Sequence, residues 1–175
     1  MNSNSHRASL WPPRSSDPAA LLEAYADVLG WPLLADGVGM PVDRVLRLLV
    51  GAADLVVATR CRDAGLDAVV LGPRAGRKAN RLLEKHPVFQ PGAMPVPVLR
   101  GPDGVTLLIR AGTAAALEGL RGVRIVTGKE LLPLPPTRGV VWDTPPWHPL
   151  HRRPAVFPGG ADLLPVLESA LSARV

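Results

Sequence analysis

Between residues 74 and 85, five cationic side chains recur at the spacing of a single helix face. They are Arg74, Arg77, Lys78, Arg81 and Lys85. Steps of three, one, three and four residues place side chains along one side of an α-helix. Only Glu84 supplies a negative charge in this stretch. Such a face can contact the phosphates of a polyanion, or it can be the solvated side of a packed helix.

Two carboxylates, Asp63 and Asp67, precede this segment and lie four residues apart. Phosphoryl transfer uses Mg²⁺ ions that converging carboxylates hold at one end of a sheet. The alternate strand position after Asp67 is Val69, so the sequence offers no acidic pair there. The spacing therefore predicts no metal site, and Asp67 is equally suited to a surface ion pair with Arg74.

The remaining reactive residue types offer little catalytic machinery. Every serine lies near one end of the chain, which disfavours a serine nucleophile. His148 and His151 follow Asp143 in a proline-rich segment, but a zinc site needs at least three converging ligands. We expect these histidines to lie in an irregular tail that packs its tryptophan rings. Cys61 is the only cysteine, which excludes a disulfide or a cysteine-based zinc site within one chain.

The elements that would position these side chains centre on residues 66–86. Residues 68–71 form a short apolar run that predicts a buried strand, and Gly72-Pro73 ends it. From Arg74 the period becomes helical. The apolar residues opposite the cations are Ala75, Ala79, Leu82 and Leu83. The sequence thus predicts a buried strand that leads directly into a basic helix.

Further helices are predicted on both sides of this unit. The first begins at a cap provided by Ser16 or Asp17 and ends at Gly30. A second spans residues 40–50, and the last spans residues 162–173. In the second helix, Val42, Val45, Leu46, Leu49 and Val50 are predicted to share the buried face.

Two hairpins are predicted between these helices. A strand over residues 55–59 lies close in sequence to the strand at Leu66, which favours an antiparallel hairpin. Residues 96–110 contain a strong turn signal and predict a second hairpin. Pro95 and Pro97 favour an edge position for its first strand, because proline donates no ladder hydrogen bond.

The last part of the chain alternates short elements. Thr113 is expected to cap a helix over residues 114–120, and strands are expected at Val123–Val126 and at residues 140–142. Trp142, at the end of that last strand, is predicted to be mostly buried. The fold class is α+β, with a mixed and mostly antiparallel sheet covered by helices. We expect one central sheet to contain Val56, Val69, Leu107 and Ile125.

Length and composition are consistent with one domain. The chain has 175 residues, a hydrophobic fraction of 47% and a formal net charge of +5, which leans towards an acidic partner. We expect a disordered tail over residues 1–16, a primase/polymerase-like α+β domain over 17–147, and a proline-rich segment with a packed helix over 148–175. No apolar run approaches membrane-spanning length and no signal peptide is visible, so a cytoplasmic protein without a membrane partner is expected.

The order of four motifs resembles the N-terminal domain of bifunctional DNA primase/polymerases, in the archaeo-eukaryotic primase superfamily. The motifs are Gly30-Trp31-Pro32 after the first helix, Leu66-Asp67-Ala68-Val69-Val70, the turn Pro102-Asp103-Gly104 with the strand after it, and residues 123–142 with Leu134-Pro135-Pro136 and Gly139-Val140-Val141-Trp142. Together they span about residues 18–147. The resemblance implies a primase/polymerase-like fold and contact with nucleic acid.

The chain departs from this family at the residues that carry its chemistry. Family polymerases have an acidic pair at alternate positions of one strand, and here Val69 occupies the second position. The family histidine is missing from residues 105–110. The resemblance therefore implies that Asp67 is a vestigial catalytic residue, since one carboxylate cannot hold two metal ions.

Three hypotheses follow for function. The first is a degenerate primase/polymerase-like domain that binds nucleic acid through the basic helix, without a cofactor. The second is a non-catalytic interaction or regulatory protein on the same fold, with a protein partner that the sequence does not identify. The third is an active nucleotidyltransferase, which would need Mg²⁺ or Mn²⁺.

Overall fold

The computed structural model describes residues 11–14, 16–89 and 95–172 of the chain. The helices in this part of the chain are α1 (Pro18–Glu23, continued by a π-helical turn over Ala24–Val28), α2 (Val42–Gly51), α3 (Pro73–Lys85) and α4 (Gly160–Leu171). The strands are β1 (Leu34–Ala35), β2 (Val38–Gly39), β3 (Val57–Arg60), β4 (Leu66–Leu71), β5 (Val98–Gly101), β6 (Gly104–Arg110), β7 (Val123–Val126), β8 (Leu131–Pro133) and β9 (Val141–Thr144). The chain is an α+β protein, as the sequence predicts.

A five-stranded antiparallel sheet in the order β7-β4-β6-β5-β9 forms the middle of the molecule. Val69 of β4 pairs with Leu107 on β6 and with Ile125 on β7, so these three predicted sheet residues share one sheet. The predicted hairpin is confirmed as β5 and β6, with Gly101 opposite Gly104. Gly104 has a φ of +132°, and a Cβ there would overlap the carbonyl oxygen of Leu71. The turn therefore requires glycine.

A second antiparallel sheet has the order β2-β1-β3-β8, and it changes two predictions. Val56 immediately precedes β3 and so lies beside this sheet rather than in the central one. The predicted hairpin of residues 55–59 with β4 is also wrong, because β3 pairs with β1 and β8. The turn between β3 and β4 carries the chain from one sheet to the other, and Cys61 N donates there to Glu130 O at 3.2 Å.

The prediction that β5 is an edge strand is wrong, since β5 lies between β6 and β9. Its prolines stand before the strand rather than within it. The carbonyl of Pro97 accepts a hydrogen bond from Leu108 N at 3.0 Å, so this proline contributes an acceptor to the pairing. Pro95 and Pro97 therefore remove no donor from the β5 ladder itself.

Thr113 does not cap the segment that follows it. Ala114–Leu117 is a single 3₁₀ turn, shorter than the predicted helix, and it has no side-chain cap. The Thr113 hydroxyl donates to Arg110 O at 2.6 Å and accepts from Gly160 N at 3.0 Å. Thr113 thus satisfies a free N–H group in the first turn of α4, a helix far away in sequence.

The first two helices follow their predicted patterns with one exception. Asp17 Oδ1 accepts from Ala20 N at 3.1 Å, which confirms Asp17 as the cap of α1. In α2, Val45 is buried but Val50 is 91% exposed, so the prediction for Val50 is wrong. Five residues of helix rotate a side chain by about 140°, which turns Val50 away from the buried stripe. No helix in the described ranges is long and apolar enough to cross a membrane.

Apolar clusters cover both faces of the five-stranded sheet. Alternation along β4 sends Ala68 to one face and Val69 and Leu71 to the other. The first cluster joins that sheet to α1, α2 and the four-stranded sheet. The second cluster joins it to α3 and α4. The sheet is therefore shared between two cores, which explains why β4 reads as a continuous apolar run.

The four tryptophans and the single tyrosine meet in the first cluster. They are Trp11, Trp31, Trp142, Trp147 and Tyr25. Trp142 is partly buried against this cluster, in agreement with the prediction that it is mostly buried. Its indole N–H donates to Tyr25 Oη at 2.7 Å, whereas Trp147 is 2% exposed. Trp11, from the segment predicted to be a tail, packs against Trp147 with ring centroids 5.9 Å apart; residues 1–10 and 15 lie outside the described residues.

Candidate nucleic-acid interface

Helix α3 is held against the sheet by small residues on its inner face. Gly72 precedes it and Pro73 occupies its first turn, where a missing N–H costs nothing. Gly76, Ala79 and Leu83 are buried. A Cβ on Gly76 would lie 2.5 Å from Val105 Cβ, so the backbone of α3 runs unusually close to β6. This close packing fixes which side of α3 faces outwards.

Four of the five predicted cations lie on that outer side. Arg74, Arg77, Arg81 and Lys85 are exposed, and Arg81 Nε donates to the Arg77 carbonyl oxygen at 3.4 Å. The ion pairs found among the described residues lie on other elements. The face therefore carries four exposed positive charges without a carboxylate partner in this part of the chain.

Two polar residues border this cationic face. Glu84 is exposed and accepts a hydrogen bond from Asn80 Nδ2 at 3.2 Å. Its position one turn from Asn80 places both at the side of the cationic stripe rather than within it. The single negative charge of α3 therefore leaves the middle of the stripe positive.

Lys78 behaves differently from the other four cations. Its side chain is half-buried, and its Nζ donates to the carbonyl oxygen of Ser172, the residue that follows α4, at 3.2 Å. A cation near the carboxyl end of a helix is favoured by the carbonyl groups left unpaired there. Lys78 thus joins α3 to α4, and the expectation that it faces solvent freely is not met.

Asp67 and Asp63 bind different partners. Asp67 is 5% exposed at the start of β4, and its Oδ2 accepts from Gly112 N at 2.8 Å. Asp63 is exposed and pairs with Arg60 at 3.7 Å. The alternative of an ion pair between Asp67 and Arg74 is wrong. Asp67 lies near the start of β4, Arg74 lies beyond its end, and the ion pairs among the described residues include neither side chain.

Two further groups of reactive side chains are Cys61 and the pair His148 and His151. Cys61 is buried, and burial raises the pKa of its thiol to about 12, with smaller contributions from the carboxylates of Asp67 and Glu130. Its reactive thiolate is therefore disfavoured at neutral pH. The rings of His148 and His151 lie 4.5 Å apart, but no group of three metal-ligating side chains exists among the described residues.

The pKa of His148 is lowered by partial desolvation and by the neighbouring His151 and Arg153. Sequence reasoning singled out the two histidines but overlooked Arg153, which stands beside them. The only sequence signal for it is an arginine without a nearby acidic residue in a segment rich in proline and tryptophan.

Comparisons with protein-family models, with curated proteins and with solved structures gave no match.

Proposed function

We propose that this protein binds single-stranded nucleic acid through the outer face of α3 and performs no phosphoryl transfer. The observation that carries the proposal is the set of exposed cations Arg74, Arg77, Arg81 and Lys85, none of them paired with a carboxylate of the described residues. Lysine and arginine contacts to phosphates release counterions, which supplies most of the sequence-independent affinity. A rigid helix with four such groups in line fits a phosphate backbone.

The geometry of Asp67 supports the non-catalytic part of the proposal. The carboxylate is buried and bound to the Gly112 backbone, and an apolar side chain, Val69, stands at the alternate position. Two-metal chemistry needs several free carboxylate oxygens at one point. The proposal includes the likeness to primase/polymerase domains, which rests on the order of the four sequence motifs.

The test compares salt dependence in two charge-matched variants. Binding of a labelled oligothymidylate is measured by fluorescence anisotropy across a salt series. Arg74→Gln/Arg77→Gln/Arg81→Gln removes three proposed phosphate contacts, and Lys78 is left intact because it bonds to Ser172. At about 0.7 per contact for single strands, the slope of log affinity against log salt should become shallower by about 2.

The control removes three exposed arginines from other surfaces. Arg44→Gln/Arg47→Gln/Arg152→Gln changes the net charge by the same amount, and none of these residues forms an ion pair among the described residues. We expect the control to keep the wild-type slope. Equal loss in both variants would indicate a diffuse charge effect rather than an interface on α3.

Two other outcomes would overturn the proposal. Wild-type protein that binds no oligonucleotide at low salt would favour the interaction or regulatory protein instead. Primer extension with Mg²⁺ or Mn²⁺ that Asp67→Asn abolishes would show an active nucleotidyltransferase. Under the proposal, Asp67→Asn leaves oligonucleotide binding unchanged, because the Asp67 side chain is buried and bound to Gly112 N.

A further inference from the structure

A cleft of about 610 Å³ lies between α3, the start of β5 and residues 144–156. Its walls are mainly apolar, and they include Leu83, Phe89, Val96, Val98, Trp147 and Val156. This volume falls within the range of sites that bind small organic molecules. Residues 90–94, which follow Phe89 in the sequence, are outside the described residues. The apolar wall favours a ligand with a hydrocarbon body.

The polar side chains that line the cleft from residues 147–154 can all donate hydrogen bonds. Arg153 is exposed and forms no ion pair among the described residues. His148 N donates to Arg153 O at 3.0 Å, so the two residues are held side by side. Leu150 N donates to His148 Nδ1 at 3.1 Å, which leaves Nε2 of the neutral ring as a donor. Two donors, one of them charged, therefore line this part of the cleft.

Trp147 adds a third donor in the same segment. Its ring lines the cleft, and its indole Nε1 is shielded from solvent and has no acceptor among the described residues. A buried N–H without an acceptor costs free energy. Because this Nε1 is shielded, the side-chain donors that a ligand head can reach at this end of the cleft are those of His148 and Arg153.

The one carboxylate among the lining residues lies on a different element. Glu84 belongs to α3, accepts from Asn80, and forms no ion pair with Arg153. An anionic ligand head would be repelled near Glu84 and attracted near Arg153. The cleft is therefore polarised, with its positive end at the segment of residues 147–154.

We propose that the cleft binds a small monocarboxylate with an apolar body. The body packs against Leu83, Val96 and Val98, and the carboxylate lies at Arg153 and His148. A carboxylate is an acceptor-only group, which complements a cluster of donors, and arginine binds it with charge-assisted hydrogen bonds. This site is separate from the outer face of α3, so it stands or falls independently of nucleic-acid binding.

Octanoate is the probe, and isothermal titration calorimetry on the full chain measures its dissociation constant. Octan-1-ol and octylamine carry the same body with a neutral or a cationic head. We expect octanoate to bind more tightly than both. Arg153→Gln should weaken octanoate binding roughly fivefold, as befits an exposed ion pair, and should leave octan-1-ol unchanged. Arg152→Gln, an exposed neighbour that does not line the cleft, should change octanoate binding by less than about twofold.

A second variant tests the location of the site. Ala155 is half-buried and lines the cleft, so Ala155→Trp should fill the cleft without removing a buried contact, and octanoate binding should be lost. Far-UV circular dichroism establishes that each variant is folded. The proposal is overturned if wild-type protein does not bind octanoate at millimolar concentration, if octylamine binds as tightly as octanoate, or if a folded Ala155→Trp protein retains full octanoate affinity.

Discussion

The carboxylate of Asp67 has a structural role, because it binds a backbone amide. It is nearly buried, and it accepts the hydrogen bond of Gly112 N as the chain leaves β6. We expect Asp67→Ala to lower the free energy of unfolding by about 1–3 kcal/mol, because the amide loses its acceptor in a partly buried site. Urea unfolding followed by circular dichroism measures this loss.

Two variants serve as controls for Asp67→Ala. Asp67→Asn keeps a side-chain oxygen that can accept from Gly112 N, so its loss of stability should be smaller. Asp63→Ala removes an exposed ion pair with Arg60 and should cost less than about 1 kcal/mol. An Asp67→Ala protein as stable as wild type would contradict the structural role given to this carboxylate.

At single residues, the sequence shows that a second acidic residue is missing, but it does not predict what Asp67 binds instead. The lack of an acid at Val69 is visible from spacing alone. The bond from Asp67 to Gly112 joins residues 45 apart and has no sequence signal. In the same way, helical spacing places Lys78 on the cationic face, but it cannot show that the end of α4 lies within reach of its Nζ.

Helix α3 packs closely against β6 at Gly76. A Cβ on Gly76 would approach Val105 Cβ to 2.5 Å and Val105 Cγ2 to 2.6 Å. Alanine is worth up to about 1 kcal/mol over glycine inside a helix, but the overlap should outweigh that gain. We expect Gly76→Ala to destabilise the protein by about 1–3 kcal/mol, measured by thermal and urea unfolding.

The matched control is Gly51→Ala at the end of α2. Nothing lies within 4 Å of a Cβ at Gly51, and this glycine does not have a positive φ. We expect Gly51→Ala to be neutral or slightly stabilising, since it gains helix propensity without an overlap. If both alanine variants were equally stable, the close approach of α3 to β6 would be wrong.

Of the two predicted hairpins, only β5–β6 is correct; β3 and β4 are also joined by a short turn, but β3 pairs with β1 and β8. The β5–β6 hairpin follows from a local turn signal, and its pairing partners lie close in sequence. One partner of β3 is β8, where Ala58 pairs with Pro133, 75 positions further along the chain. Apolar runs indicate that both strands are buried but do not show that they pair, so the sequence predicts pairing of β3 with the nearest strand instead.

For the whole molecule, the sequence predicts the fold class but not how the sheets and helices are layered. The continuous apolar run of β4 predicts burial on both faces. Which helices cover which face depends on packing between distant segments, so the sequence predicts one sheet where the structure has two. The same limit applies to the cleft beside α3, because its walls come from three separate parts of the chain.

The five-stranded sheet belongs to both apolar clusters, so the two clusters should unfold together. All four tryptophans lie in the cluster on the α1 side, whereas Leu163 of α4 is fully buried in the other cluster. We expect Leu163→Ala to cost about 2–5 kcal/mol and to lower Tm by roughly 5–15 °C. Tryptophan fluorescence and far-UV circular dichroism should report the same lowered Tm.

The matched variant on the other side is Leu22→Ala, which removes a fully buried leucine of α1. It should shift both signals by a similar amount, because a single cooperative transition has one Tm for every probe. If Leu163→Ala shifted the circular dichroism transition and left the tryptophan transition in place, the two sides would be separate folding units. The shared strand β4, which gives Ala68 to one cluster and Val69 to the other, argues for the single transition.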